Sequence, residues 1–188
     1  RPFDTVAMDL VHVAGGGNIG AESLLGHTHV LTCTDQLTGF LVMEPIRLET
    51  GAEPMTWAYT CARAFFVRVW LQLHRRPRVL LTDQGAEFDN TLFRRLAELT
   101  GTKLARTSTL NPQANYDERH HRGMGAAWKV FCNGQTVKAN PKAWHEYVAM
   151  FEHRMNQRNI PGTSLSPARV VLAVDSNLPV FDRITTWS

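Results

Sequence analysis

Three cysteines are all that this 188-residue chain contains. Cys33, Cys61 and Cys132 are odd in number and far apart, and no two have the short C-x-x-C spacing of a zinc or redox pair. A disulfide scaffold is therefore excluded. A reducing compartment fits best, with the thiols acting as small core residues. Long hydrophobic runs are missing too. The most apolar stretch, Met55 to Leu73, is broken by Arg63, Arg68 and Gln72, so it reads as a core helix and not as a membrane span. No signal peptide is evident. Excess charge is also scarce: 20 Lys+Arg against 17 Asp+Glu leave a formal net charge of +3. So small an excess does not announce a nucleic-acid binder, and any basic surface must be local. Collagen-like and coiled-coil patterns are absent. What remains is the balance of an ordinary globular domain, 44% hydrophobic and 20% charged, with enough apolar mass to offset chain entropy. The length suits one domain with a full core. The chain begins at Arg1, without Met and inside what reads as a strand, as expected of a piece of something longer.

Periodicity supplies the elements. Phe3, Val6, Met8, Leu10 and Val11 form an apolar run with Asp9 embedded in it, which predicts a strand. The segment from Ala14 to Gly26 is rich in glycine and should be a loop. His29 to Thr34 reads as a second strand, and a tight turn from Asp35 to Gly39 leads into a third, Phe40 to Pro45. Met55, Ala58, Tyr59, Ala62, Phe65, Phe66, Val69 and Leu73 recur at helical spacing and predict a long buried helix. Arg78 to Thr82 is a short buried strand ending at Asp83. A helix over Asn90 to Thr100, with Leu92, Phe93, Leu96 and Leu99 on its apolar face, stops at Gly101. Lys103 to Thr107 follows as a strand, then a polar loop to Tyr116 and a helix near Asp117 to Phe131. Trp144, Tyr147, Val148, Phe151 and Met155 mark another helix, and a short helical stretch falls between Pro161 and Pro179. Turn-linked strands should be antiparallel and helix-linked strands parallel, giving an α/β domain with a five-stranded mixed sheet flanked by helices. That order is also the order of the ribonuclease H-like fold.

Three acids stand out. Asp9 lies mid-strand among apolar neighbours, where an unpartnered carboxylate is costly. Asp83 ends a buried strand, at the edge where open α/β sheets place their sites. Glu118 falls in the first turn of a helix behind a polar loop. Converging at one sheet edge, such hard oxygen ligands suit Mg²⁺ or Mn²⁺. Taken singly, a strand-end Asp also forms turns and a first-turn Glu also complements the helix dipole.

The surrounding residues narrow the choice. Residues 76 to 93 read RPRVLLTDQGAEFDNTLF, residues 107 to 122 read TSTLNPQANYDERHHR, residues 3 to 9 read FDTVAMD and residues 163 to 167 read TSLSP. Together, in this order, they resemble the catalytic core of retroviral and gypsy-type LTR-retrotransposon integrases over about residues 3 to 170. The resemblance implies that Asp9, Asp83 and Glu118 are the catalytic, metal-binding carboxylates. It implies a two-metal mechanism with Mg²⁺ or Mn²⁺, in which water trims an element DNA 3′ end and the freed 3′-hydroxyl is joined to target DNA. It also implies DNA contacts at Asn111, Gln113, Asn115, Tyr116, Arg119, His121, Arg122 and Lys129, a homo-oligomer built on a core dimer, and a nuclear location. Residues 1–170 are expected to form the core, and 171–188 a linker or tail toward a C-terminal module that this chain lacks. The family's N-terminal His/Cys zinc module is likewise expected to lie outside these residues.

Several positions depart from the family pattern. Thirty-four residues separate Asp83 from Glu118, one fewer than is commonest in the family. The shortfall falls after Pro112-Gln113, and Tyr116 stands where Gly is usual, which should stiffen the loop or stack on a base. Asn111 replaces a frequent His, His121 an Asn and Gly125 a common Lys. In helical projection Glu118, Arg122, Gly125 and Lys129 share a candidate DNA stripe, while Met124, Ala127, Trp128 and Phe131 share a core face. Glu87 lies four residues beyond Asp83. Asp35 is expected to serve the turn with Gly39 more than a metal. His27 and His29 point the same way from a strand start, but no cysteine is near to complete a zinc site. His120 and His121 read as surface residues. Two rival readings remain: a domesticated domain that binds DNA, chromatin or protein without catalysis, and a ribonuclease H-like nuclease that cuts without joining. The intact acid set opposes the first, and the Pro-Gln loop and TSLSP segment oppose the second.

Overall fold

The computed structural model describes residues 1–13, 22–48, 51, 53–82, 88, 91–106, 128 and 140–173. Its strands are β1 (Thr5–His12), β2 (His29–Asp35), β3 (Leu41–Ile46), β4 (Val79–Thr82) and β5 (Lys103–Arg106). They form one sheet in the order β3-β2-β1-β4-β5. β1, β2 and β3 pair antiparallel, while β1, β4 and β5 run parallel. This is the mixed sheet that the turns and helical connections predict.

Alternation along the strands divides the core in two. Val6, Met8, Leu31, Cys33, Val42 and Ile46 face one cluster, joined there by Leu10. It is closed by helix α1 (Pro54–Phe65), helix α2 (Thr91–Thr100) and helix α4 (Pro167–Leu172), which supplies Ala168 and Val171. Val13, Val30, Leu41 and Met43 face the other cluster, with Trp128, Trp144, Val148 and Phe151. A 3₁₀ helix (Pro141–Tyr147) and helix α3 (Val148–Gln157) cover that side.

The long helix differs in two respects from its sequence reading. It continues as a π-helical turn, Phe66–Leu71, in which Gln72 N donates to Val67 O at 3.0 Å. Its buried stripe runs through Ala58, Cys61, Ala62, Phe65 and Val69, while Met55 and Tyr59 are exposed. With Cys61 in the stripe, the face turns away from Tyr59. Likewise α2 buries Phe93, Ala97 and Thr100 and leaves Leu99 exposed. No described helix is long and apolar enough to cross a membrane.

β3 is an edge strand, and unpaired strand edges invite foreign strands. Here α3 closes it. The Asn156 amide accepts from Leu41 N and donates to Leu41 O, both at 2.7 Å. Glu152 Oε2 accepts from Met43 N at 2.7 Å, and Pro45 has no N–H to offer. Arg68 reaches round the strand from the other face and holds Glu152 with Nη2 at 2.9 Å, while its Nε forms an ion pair with Glu44 at 3.1 Å.

Candidate active site

Asp9 is the sequence-predicted site residue whose surroundings the structure describes. It lies in mid β1, half-buried, with its Cα opposite Thr32 of β2. Thr32 is fully buried, and its hydroxyl donates to Asp9 O at 3.2 Å. Asp9 Oδ1 accepts from Leu10 N at 2.8 Å. The carboxylate is thus tied to its own strand and kept partly open, which tempers the desolvation cost expected of a fully buried acid. On the far side of β1, Met8 pairs with Thr82, the buried last residue of β4. Asp83, Glu118, Glu87, Asn111, Gln113, Asn115, Tyr116, Arg119, His121, Arg122 and Lys129 lie outside the described residues, as do His120 and Cys132.

Asp35 is a turn carboxylate, as expected. It is buried, and its oxygens accept from Phe3 N at 2.8 Å, Thr38 N at 3.1 Å and Thr38 Oγ1 at 2.6 Å. Gly39, at φ +71°, closes the turn by donating to Asp35 O. The histidines pair in a way that the sequence spacing does not suggest. His29 stacks on His12 at 4.6 Å and on Trp57 at 5.6 Å, whereas His27 meets His145 at 5.2 Å. Burial, helped by His12, pulls the His29 pKa down to about 4. Burial and then His145 lower that of His27. Among the described residues no group of three or more His, Cys, Asp or Glu could hold a metal.

Sequence reasoning missed two contributors. Thr32 is a polar residue within an apolar strand, and its alternation with Cys33 would have placed it on the Asp9 face. Arg68 was read as a break in an apolar stretch, yet it tethers β3 to α3.

The strand order, the mixed pairing and the helices on both faces define a ribonuclease H-like α/β domain. A crystal structure of the catalytic core domain of BIV integrase shares this fold, with a TM-score of 0.57, 18% identity and 99% of each chain covered. The chain is also similar to the Pro-Pol polyproteins of foamy viruses, in line with the motif resemblance. It is 24% identical over 180 residues to that of Simian foamy virus type 3 (strain LK3), covering 95% of this chain. The figures are 26% over 155 residues for Simian foamy virus type 1, and 23% over 186 residues for Feline foamy virus. The chain spans only 14%, 12% and 14% of these polyproteins, respectively. No family model matches the chain.

Proposed function

We propose that this chain is the catalytic core of an LTR-retroelement integrase, a divalent-metal-dependent polynucleotidyl transferase. It would trim the 3′ ends of element DNA and join them to target DNA in the nucleus, working as a homo-oligomer. The observation that carries the reading is the pairing of β4 beside β1. Asp83 is one peptide bond beyond Thr82, Thr82 pairs with Met8, and Met8 precedes Asp9. Two steps of about 3.8 Å and one interstrand spacing of about 4.8 Å bound the Asp9 to Asp83 Cα separation at roughly 12 Å. Further support comes from Trp128, ten residues after Glu118 in sequence. It packs in the cluster on the Asp9 face and stacks edge-on against Phe151 at 5.0 Å.

Asp9 fits a hard cation, since it presents a half-buried carboxylate oriented by the Leu10 N–H. With Asp83 and Glu118 it would hold two Mg²⁺ or Mn²⁺ ions. When bound, these supply Lewis acidity to the attacking and leaving oxygens. The protein's own part is positional. The Leu10 N–H and the Thr32 pairing orient Asp9, and no Ser, Cys or Tyr nucleophile is required.

The test is an assay of the complete protein with labelled element-end DNA and Mg²⁺ or Mn²⁺. Trimming and joining are expected, with loss of both in Asp9→Asn and Asp83→Asn. No joining under either metal refutes the enzyme reading and favours a domesticated binding domain. Joining that survives Asp83→Asn refutes the site assignment.

A further inference from the structure

The sheet edge remote from the candidate site carries concentrated positive charge. From Leu73 to Thr82 the chain has three arginines, Arg75, Arg76 and Arg78, and no aspartate or glutamate. All three lie just before β4 and are exposed. Because β1, β4 and β5 are parallel, their first residues share one edge of the sheet. Backbone bonds draw these starts together: Arg78 N donates to Asp4 O at 2.9 Å, and Lys103 N donates to Arg78 O at 2.7 Å. Arg1 comes to the same place, its Nε 3.8 Å from Asp4.

Among the described residues, the acids nearby do not cancel this charge. Asp4 is shared by Arg1 and by Arg78, whose Nε lies 3.3 Å away, and these two arginine side chains are 75% and 71% exposed. Arg75 spends its hydrogen bond on a neutral acceptor, Val171 O at 3.2 Å. Glu98, across a shallow groove from Lys103, is paired with Arg95 at 3.0 Å.

We infer that this edge is a second nucleic-acid contact, which grips the phosphate backbone of a DNA segment other than the one being cut. It rests on the integrase reading, which requires two DNA partners. Guanidinium groups match phosphate oxygens bidentately. Two interstrand spacings make the edge about 10 Å wide, and B-DNA carries about six phosphate charges along that length. From Asp4 to Asp9 along β1 is about 17 Å at strand rise, so the two contacts are separate. A protein partner fits less well, because protein interfaces centre on apolar anchors. None of the large exposed apolar side chains belongs to residues 1–5, 74–79 or 101–104.

The test measures the affinity of the full chain for a 30-base-pair duplex of arbitrary sequence over a salt series. Each lost phosphate contact should lower the log–log salt slope by about 0.9. Arg76→Ala/Arg78→Ala/Lys103→Ala should therefore flatten it by about 2 to 3 and weaken binding at least tenfold at low salt. Arg76→Glu alone, which perturbs the fold least, should flatten it by about 1. Lys142→Ala/Arg154→Ala, which removes exposed cations from the 3₁₀ helix and α3, should leave the slope unchanged. An unchanged slope in the triple variant, or an equal loss in the control, overturns the inference. So does poly-glutamate binding that falls in the triple variant while DNA binding does not. Absence of joining in the unmodified protein would count against the integrase reading alone, because the salt series judges this edge without catalysis.

Discussion

Asn156→Ala isolates the clamp on the sheet edge. Asn156 is 5% exposed, and its amide makes two 2.7 Å hydrogen bonds to the backbone of Leu41. Alanine would leave a buried N–H and a buried C=O unpaired, each costing about 1–3 kcal/mol. Water reaching an edge strand would relieve part of this, so the expected loss is about 3 kcal/mol. For a domain of this size each kcal/mol moves Tm by about 2–4 °C, giving a fall of roughly 6–12 °C. Urea denaturation followed by tryptophan fluorescence should show a lower midpoint at constant m. Asn156→Asp keeps the shape and the acceptor for Leu41 N. It loses the donor to Leu41 O and sets a carboxylate against that carbonyl, so it should cost at least as much. With β3 opened, light scattering should rise below the melting temperature, since an unprotected edge templates pairing. Both variants lying within about 0.5 kcal/mol of the parent would refute the idea that this amide holds the edge.

Two further perturbations follow from the described contacts. His29 has a folded pKa of about 4, below its unfolded value near 6.5. The unfolded state binds more protons between those values, so this contribution is complete above about pH 6.5 and is lost as pH falls toward 4. The full shift corresponds to about 3 kcal/mol, which partial exposure reduces to roughly 1–2. His29→Phe should flatten the stability profile across that window, and an unaltered profile would rule His29 out as its source. Arg68 holds Glu152 and Glu44, whose carboxyls burial already pushes upward. Arg68→Met should cost about 2 kcal/mol, and adding Glu152→Gln should recover part of it; a double-mutant coupling below about 0.5 kcal/mol would remove the tether from the account.

Much of the fold can be read from periodicity because its elements are simple. Five strands, their pairing directions and the helices between them follow from apolar spacing and turn residues. The faces of the helices are less legible, since a helical stripe is set by what it packs against. Cys61 and Ala62 sit deep against the sheet while Tyr59 faces outward. The edge clamp was hidden for a similar reason. Arg68, Glu152 and Asn156 are ordinary surface types, and only the meeting of distant elements, 115 positions apart for Asn156 and Leu41 and 84 for Arg68 and Glu152, turns them into strand partners.

Asp9 stands out in the sequence as a candidate because polar residues in a strand must be justified by what lies opposite. The cross-strand row from Met43 through Thr32 to Asp9 supplies part of that justification. What local pattern cannot supply is the next member of the row, because it depends on which strand lies beyond β1. Had β4 docked outside β3, two further interstrand spacings of about 4.8 Å each would have separated Asp83 from Asp9. The proposed common site would then be ruled out. The observed order places β4 directly against β1, which is the arrangement that the proposed pairing of Asp9 with Asp83 requires. In this chain the proposed chemistry therefore rests on topology more than on the surroundings of Asp9 alone.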